Sequence, residues 1–181
     1  MKIIFLDFDG VICNPRHLIA MGDRSSSLID PAAGGLVKKL ALTTGAKIVV
    51  SSTWRYGRSR DWIGDVLSAV VPEFGQLLFS HEHYWKTPDV YTNRQLEIRK
   101  WIDWYESAHD EMLEAYVILD DDRLHPPGYD KDEDLYTHYV KTDQYDGMGW
   151  TNYMNAEAIL CNRPHLPVEE DEDAPLIPNI F

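Results

Sequence analysis

The sequence predicts an α/β domain, five apolar strands alternating with helices around a parallel sheet. Three observations carry that reading. An apolar run at residues 3–6 stops at Asp7-Phe8-Asp9-Gly10, a run at 46–50 stops at Ser51-Ser52-Thr53, and a run at 115–119 stops at Asp120-Asp121-Asp122. Open parallel sheets bind their ligands at the carboxyl ends of strands. All three ends carry oxygen donors here.

Composition sets the frame. The 181 residues are 44% hydrophobic and include six tryptophans, enough for one domain with a proper core at 1–163. From 164 onward, Pro164, Pro167, Pro175, Pro178 and the run Glu169 to Asp173 predict an acidic, extended tail. The formal net charge of −13 does not fit a nonspecific nucleic-acid binder, which is expected to be basic. No apolar run reaches the roughly 18 residues of a membrane span, and the first residues read as a strand rather than a signal peptide. Two cysteines, Cys13 and Cys161, make no framework. A reducing cytoplasm is the default expectation, with Cys13 as packing. Oligomeric state is left open.

In chain order, the strand at 2–6 delivers two carboxylates two residues apart. Alternate residues of an extended chain point the same way, so Asp7 and Asp9 start on one side. Like charges this close need compensation, and a divalent cation is the usual partner; a solvated acidic turn is the bland alternative. Gly10 permits a positive φ or a close approach. Residues 13–30 read as a loop with one short helical turn, its Arg16, His17 and Arg24 either facing substrate or solvated. Asp30-Pro31 caps a helix that Gly45 stops. The strand at 46–50 does not alternate, so it is buried on both faces. Arg55, one turn beyond it, either grips a phosphate bidentately or stacks on Trp54 or Tyr56.

Residues 60–71 read as a helix and 77–79 as a third strand. Ser80-His81-Glu82-His83 is a solvated loop, since two histidines two apart do not make a ligand set by themselves. Residues 92–108 carry the apolar stripe of a helix, with Arg94 in its first turn. The fourth strand, 115–119, ends in acids, with Asp122 a helper or turn residue. A fifth strand spans 135–141, and residues 152–161 form a final helix.

FLDFDGV at 5–11, the hydroxyls at 51–53 and YVILDDD at 116–122 resemble the motifs of the haloacid-dehalogenase-like (HAD) superfamily. TGAKIVVSSTWR, Arg94 with Glu97-Ile98 and Trp101, and VKTD followed by GMGWT resemble its small family from Swiss Army Knife RNA repair proteins, over residues 2–161. The resemblance implies a three-layer Rossmann-like fold without a cap domain. It makes Asp7 the nucleophile toward phosphate and Asp9 the general acid/base, which also binds magnesium through its carbonyl. Ser52 is the motif hydroxyl, with Ser51 and Thr53 as register alternatives. Arg94 is the motif cation, with Lys86 second. Asp7, the Asp9 carbonyl and Asp120 or Asp121 hold magnesium, hard oxygen ligands of the kind that cation takes. Ser52 and, on the bidentate reading given above, Arg55 are the substrate-contact candidates.

The implied activity is a magnesium-dependent phosphatase acting through an aspartyl-phosphate, on a nucleic-acid terminal phosphate such as a 3′-phosphate. The alternatives are a phosphatase for nucleotides or other small phosphoesters, or a binding module that keeps the fold without turnover.

Overall fold

In a computed structural model of the chain, residues 1–22, 27–90, 93–109 and 112–165 are described. Arg24, Thr92 and the tail from 166 onward lie outside them.

The centre is a four-stranded parallel sheet: β1 (Lys2–Leu6), β2 (Lys47–Val50), β3 (Ala115–Asp120) and β4 (Tyr139–Lys141), in the order β2-β1-β3-β4. Among the described residues, six α-helices connect and cover it: α1 (Pro15–Met21), α2 (Pro31–Thr44), α3 (Arg60–Val70), α4 (Arg94–His109), α5 (Glu133–Thr137) and α6 (Trp150–Leu160). Alternation along the strands makes the layers. Ile4, Leu6, Ile48, Val50, Val117 and Leu119 face a core shared with α2, α3 and α6. Ile3, Phe5, Val49, Tyr116 and Ile118 face the opposite core, against Ile98, Trp101, Ile102 and Tyr105 of α4.

The helices begin where the sequence provides caps. Asp30 accepts from the Ala32 N–H at 2.8 Å with Pro31 behind it, and Gly45 ends α2 in the left-handed region at φ 72°. Ser59 caps α3 through the Trp62 N–H at 3.1 Å. The Leu96 N–H donates to Asn93 Oδ1 at 3.1 Å, which opens α4 at Arg94.

Two expected strands are corrected. Residues 77–79 do not form one: a 3-10 helix occupies Phe74–Leu77, and Leu78 makes a single parallel bridge to Ile48. Gly75 packs against Gly64, where a Cβ would meet the Gly64 carbonyl oxygen. That close approach holds the segment turned beside α3 rather than extended along β2. The stretch 135–141 is half helix. Asp132 caps α5 by accepting from the Leu135 N–H at 3.2 Å, so the strand begins only at Tyr139. The sheet therefore has four strands among the described residues, not five. The loop after β1 also holds more helix than expected, the seven residues of α1. No helix among the described residues is long and apolar enough to cross a membrane.

Candidate active site

Register assembles the site. Leu6 pairs with Leu119 on one side and Val50 on the other, so the residues just beyond these positions meet at one rim. The chain builds β2 beside one edge of β1 and β3 beside the other, and the crevice at that reversal is where such sheets bind ligands. Asp7, Ser51-Ser52 and Asp120-Asp121 all emerge there.

The loop after β1 is tightly closed. The Phe8 carbonyl accepts from the N–H groups of Val11, Ile12 and Cys13 at 3.2, 2.9 and 2.7 Å. Gly10 sits at φ +67° with the Asp121 carboxyl pressed against its Cα, where a Cβ would fall 2.1 Å from Asp121 Cγ. The Thr142 hydroxyl, just past β4, donates to the Gly10 carbonyl at 2.8 Å. Buried Cys13 is pushed up by burial and by the neighbouring carboxylates, so it stays a thiol and packs.

Carboxylate oxygens of Asp7, Asp120 and Asp121 lie within 4.8 Å of one another, the one such group of ligating side chains among the described residues. Burial raises all three. Asp120 rises well above the ordinary range, with Asp7 beside it adding to the effect. Asp121 is pushed up to about 7, by burial and then by the charge of Asp7. Burial likewise raises Asp7, against the pull of Arg94, the Phe8 N–H and the Ser52 hydroxyl. Three crowded acids whose charge is disfavoured fit a hard dication, which takes carboxylate oxygens and keeps waters. The Cβ-free floor at Gly10, which admits the Asp121 carboxyl, supports the same fit.

Arg94 joins the acids. Its Nε donates to Asp120 Oδ2 at 2.9 Å and its Nη2 lies 3.4 Å from Asp7 Oδ1. Lys86 does not reach them: its Nζ donates to the Arg55 carbonyl at 3.3 Å. Of the three hydroxyls, that of Ser52 reaches Asp7. Ser51 Oγ is buried without a hydrogen-bond partner among the described residues, and Thr53 is exposed.

Arg55 is placed otherwise than a substrate grip requires. It is 1% exposed. Its Nε donates to Thr87 O at 3.2 Å and its Nη1 to the carbonyls of Ser51 and Ser52, the latter at 2.8 Å. Its Nη2 donates to Tyr56 Oη at 3.1 Å and pairs with Glu97 Oε1 at 2.8 Å. A guanidinium has five N–H donors, and protein acceptors take them all. Arg55 braces the backbone that presents Ser52.

Two further residues border these groups that the sequence reading did not name as site residues. Glu97 is 2% exposed and bridges Arg55 to Arg94, whose Nη1 lies 3.4 Å from its Oε2. Its sequence signal was a carboxylate one helical turn from Arg94. Trp54 donates its indole N–H to both Asp9 oxygens, at 3.3 and 3.2 Å. Asp9 is raised by the burial it has, against that hydrogen bond.

The remaining candidates lie elsewhere. Arg16 pairs with Asp30 at 3.3 Å, and the His17 N–H caps into Asn14. His81 Nδ1 accepts from the N–H groups of His83 and Tyr84, which makes it a turn residue. Asp122 donates its N–H to Asp120 Oδ1 at 3.1 Å and is itself exposed.

A family model described as the HAD domain in Swiss Army Knife RNA repair proteins matches residues 3–152. No curated protein and no solved structure gives a significant match. The family match spans most of the chain, including both acidic strand ends, the Ser52 turn and Arg94, and the chain accordingly belongs to the HAD domain family of Swiss Army Knife RNA repair proteins.

Proposed function

We propose that the protein is a magnesium-dependent phosphatase that works through an aspartyl-phosphate on Asp7, with a nucleic-acid terminal phosphate, such as a 3′-phosphate, as substrate. The observation that carries this is the pairing of two different carboxylates at one rim. Asp7 is buried against Arg94 and Ser52, while Asp9 is more open and held by Trp54.

A nucleophile must be ionised. Arg94, the Phe8 N–H and the Ser52 hydroxyl favour the Asp7 carboxylate against its burial. Magnesium, held by Asp7, the Asp9 carbonyl and Asp120 or Asp121, would add positive charge to that site and to the phosphate oxygens. The Asp7 carboxylate attacks phosphorus, and the bond from phosphorus to the leaving oxygen breaks. Asp9, its affinity for a proton raised, gives that proton to the leaving oxygen. The Asp9 carboxylate then takes a proton from water as the water oxygen attacks phosphorus. The Asp7–phosphorus bond breaks, inorganic phosphate leaves, and both aspartates return to their starting states. Arg94 and Ser52 donate to the transferring oxygens.

The family's description supports a substrate from RNA repair. The test is phosphate release with magnesium over 3′- and 5′-phosphorylated oligonucleotides, mononucleotides, sugar phosphates and phosphopeptides. The wild-type chain is expected to release phosphate, most readily from oligonucleotide ends, and Asp7→Asn none, with circular dichroism unchanged. Silence across the panel, or full activity of Asp7→Asn, removes the reading.

A further inference from the structure

Beside Asp9 lies a hollow of about 570 Å³ lined by Leu28, Thr53, Trp54, Tyr56, Arg58 and Trp62. Its cation lies over two of its rings. The Arg58 guanidinium lies 4.1 Å from the Trp62 ring centre and 5.4 Å from that of Trp54. Trp62 and Tyr56 are each 42% exposed and Leu28 53%. Large aromatics left open together on a folded chain mark a binding surface. These rings are also held in place. The Tyr56 hydroxyl donates to Asp89 Oδ1 at 3.2 Å, and Trp54 is fixed through Asp9.

We propose that this groove binds the base of an unpaired nucleic-acid end whose terminal phosphate sits at Asp7. The assignment rests on the phosphatase reading for the place of the phosphate, and on the groove for everything else. Three observations support it. Trp54 joins the groove directly to Asp9, the residue on the leaving-group side, so the body of the leaving group enters here. Indole faces and a guanidinium plane are the groups on which single-stranded bases stack, without regard to sequence. Among the described residues that line the groove, the charged one is Arg58, in a chain of net charge −13. A terminal base in a duplex is held by its partner and stacked on one neighbour, so entering the groove is easiest for an unpaired end.

The test uses the full chain carrying Asp7→Asn, with magnesium, titrated with short RNA and DNA strands ending in a 3′-phosphate. Binding is read by tryptophan fluorescence and by anisotropy. The base-bearing strand is expected to bind roughly tenfold tighter than the same strand with an abasic last nucleotide. Adding Trp62→Ala or Arg58→Ala is expected to bring that ratio to within about twofold, because the stacking partner is gone. Both side chains project into solvent, so the melting midpoint reports whether the fold is kept. Equal affinity for the two strands, or no binding of either, overturns the groove's assignment. A phosphoserine peptide that binds as tightly as the base-bearing strand also overturns it and moves the groove to a protein partner. Phosphate release by the wild-type chain is scored apart. Release with no preference for a base overturns the groove and leaves the phosphatase reading intact. Base-dependent binding with no release from any end does the reverse.

Discussion

At the scale of single residues, the site depends on groups that are costly in isolation. Gly10 is one. Its positive φ and the Asp121 carboxyl against it leave no room for a side chain. Gly10→Ala is expected to destabilise the chain by about 1–3 kcal/mol. It should also weaken magnesium binding about tenfold or more by displacing Asp121, as calorimetric titration would read. An unchanged affinity would separate Asp121 from the metal. Glu97 is the other. Its buried carboxylate holds two arginines, and removing one partner of such a group costs about 3–5 kcal/mol because the others are left buried and unpaired. Glu97→Ala should therefore lower the denaturant midpoint sharply. It should also lower turnover by freeing Arg94 from its place beside Asp7. A neutral effect on both would reduce Glu97 to packing.

At the scale of elements, two glycines differ by what surrounds them. Gly75 touches Gly64 backbone to backbone, and a Cβ there would sit 2.2 Å from the Gly64 carbonyl oxygen. Gly35 lies in α2 with nothing near its Cβ position. Gly75→Ala must push the 3-10 helix away from α3, opening the core around Phe74, and is expected to cost about 1–3 kcal/mol. Gly35→Ala is expected to stabilise by roughly 0.5–1 kcal/mol through helix propensity. Chemical denaturation of the pair decides this, and equal effects would show that the contact between α3 and the 3-10 helix is loose. The same contact is why residues 77–79 turn instead of extending. The short run Leu77-Leu78-Phe79 is apolar enough for a strand, but what it packs against is set by residues far away in sequence.

At the scale of the whole molecule, three carboxylates share one end of a sheet, and their charge couples to stability. In the metal-free chain Asp121 titrates at about 7, above the roughly 3.9 of an unfolded aspartate. A carboxylate raised on folding contributes stability that is full below the unfolded value and lost as pH rises through the folded one. The metal-free chain should thus lose stability between about pH 4 and pH 7 from this group. Burial shifts Asp7 and Asp120 in the same direction. On the proposed reading, magnesium would bind the ionised form and offset the loss. The gain in melting temperature on adding magnesium, relative to chelator, is therefore expected to be larger near pH 8 than near pH 5. Equal gains at both pH values would place the metal away from these acids.

What can be read along the chain is local. Apolar runs that stop at acids or hydroxyls located three of the four strands and the chemistry at their ends, because a buried strand cannot contain Asp7 or Asp120 before its last residue. Asp30-Pro31 and Gly45 marked α2 because capping acts within a few residues. Packing settled whatever needed partners distant in the chain. It made the start of 135–141 helical, where Asp132 captures the backbone before the strand can begin. It set Arg94 beside Asp7 and Asp120 and Lys86 against the Arg55 carbonyl, and turned Arg55 inward toward Glu97. It set Trp54 against Asp9, bridging the acid and the aromatic groove. Each of these rests on sheet register and on long side chains choosing among acceptors, and an arginine's reach exceeds what spacing along one strand or helix can fix.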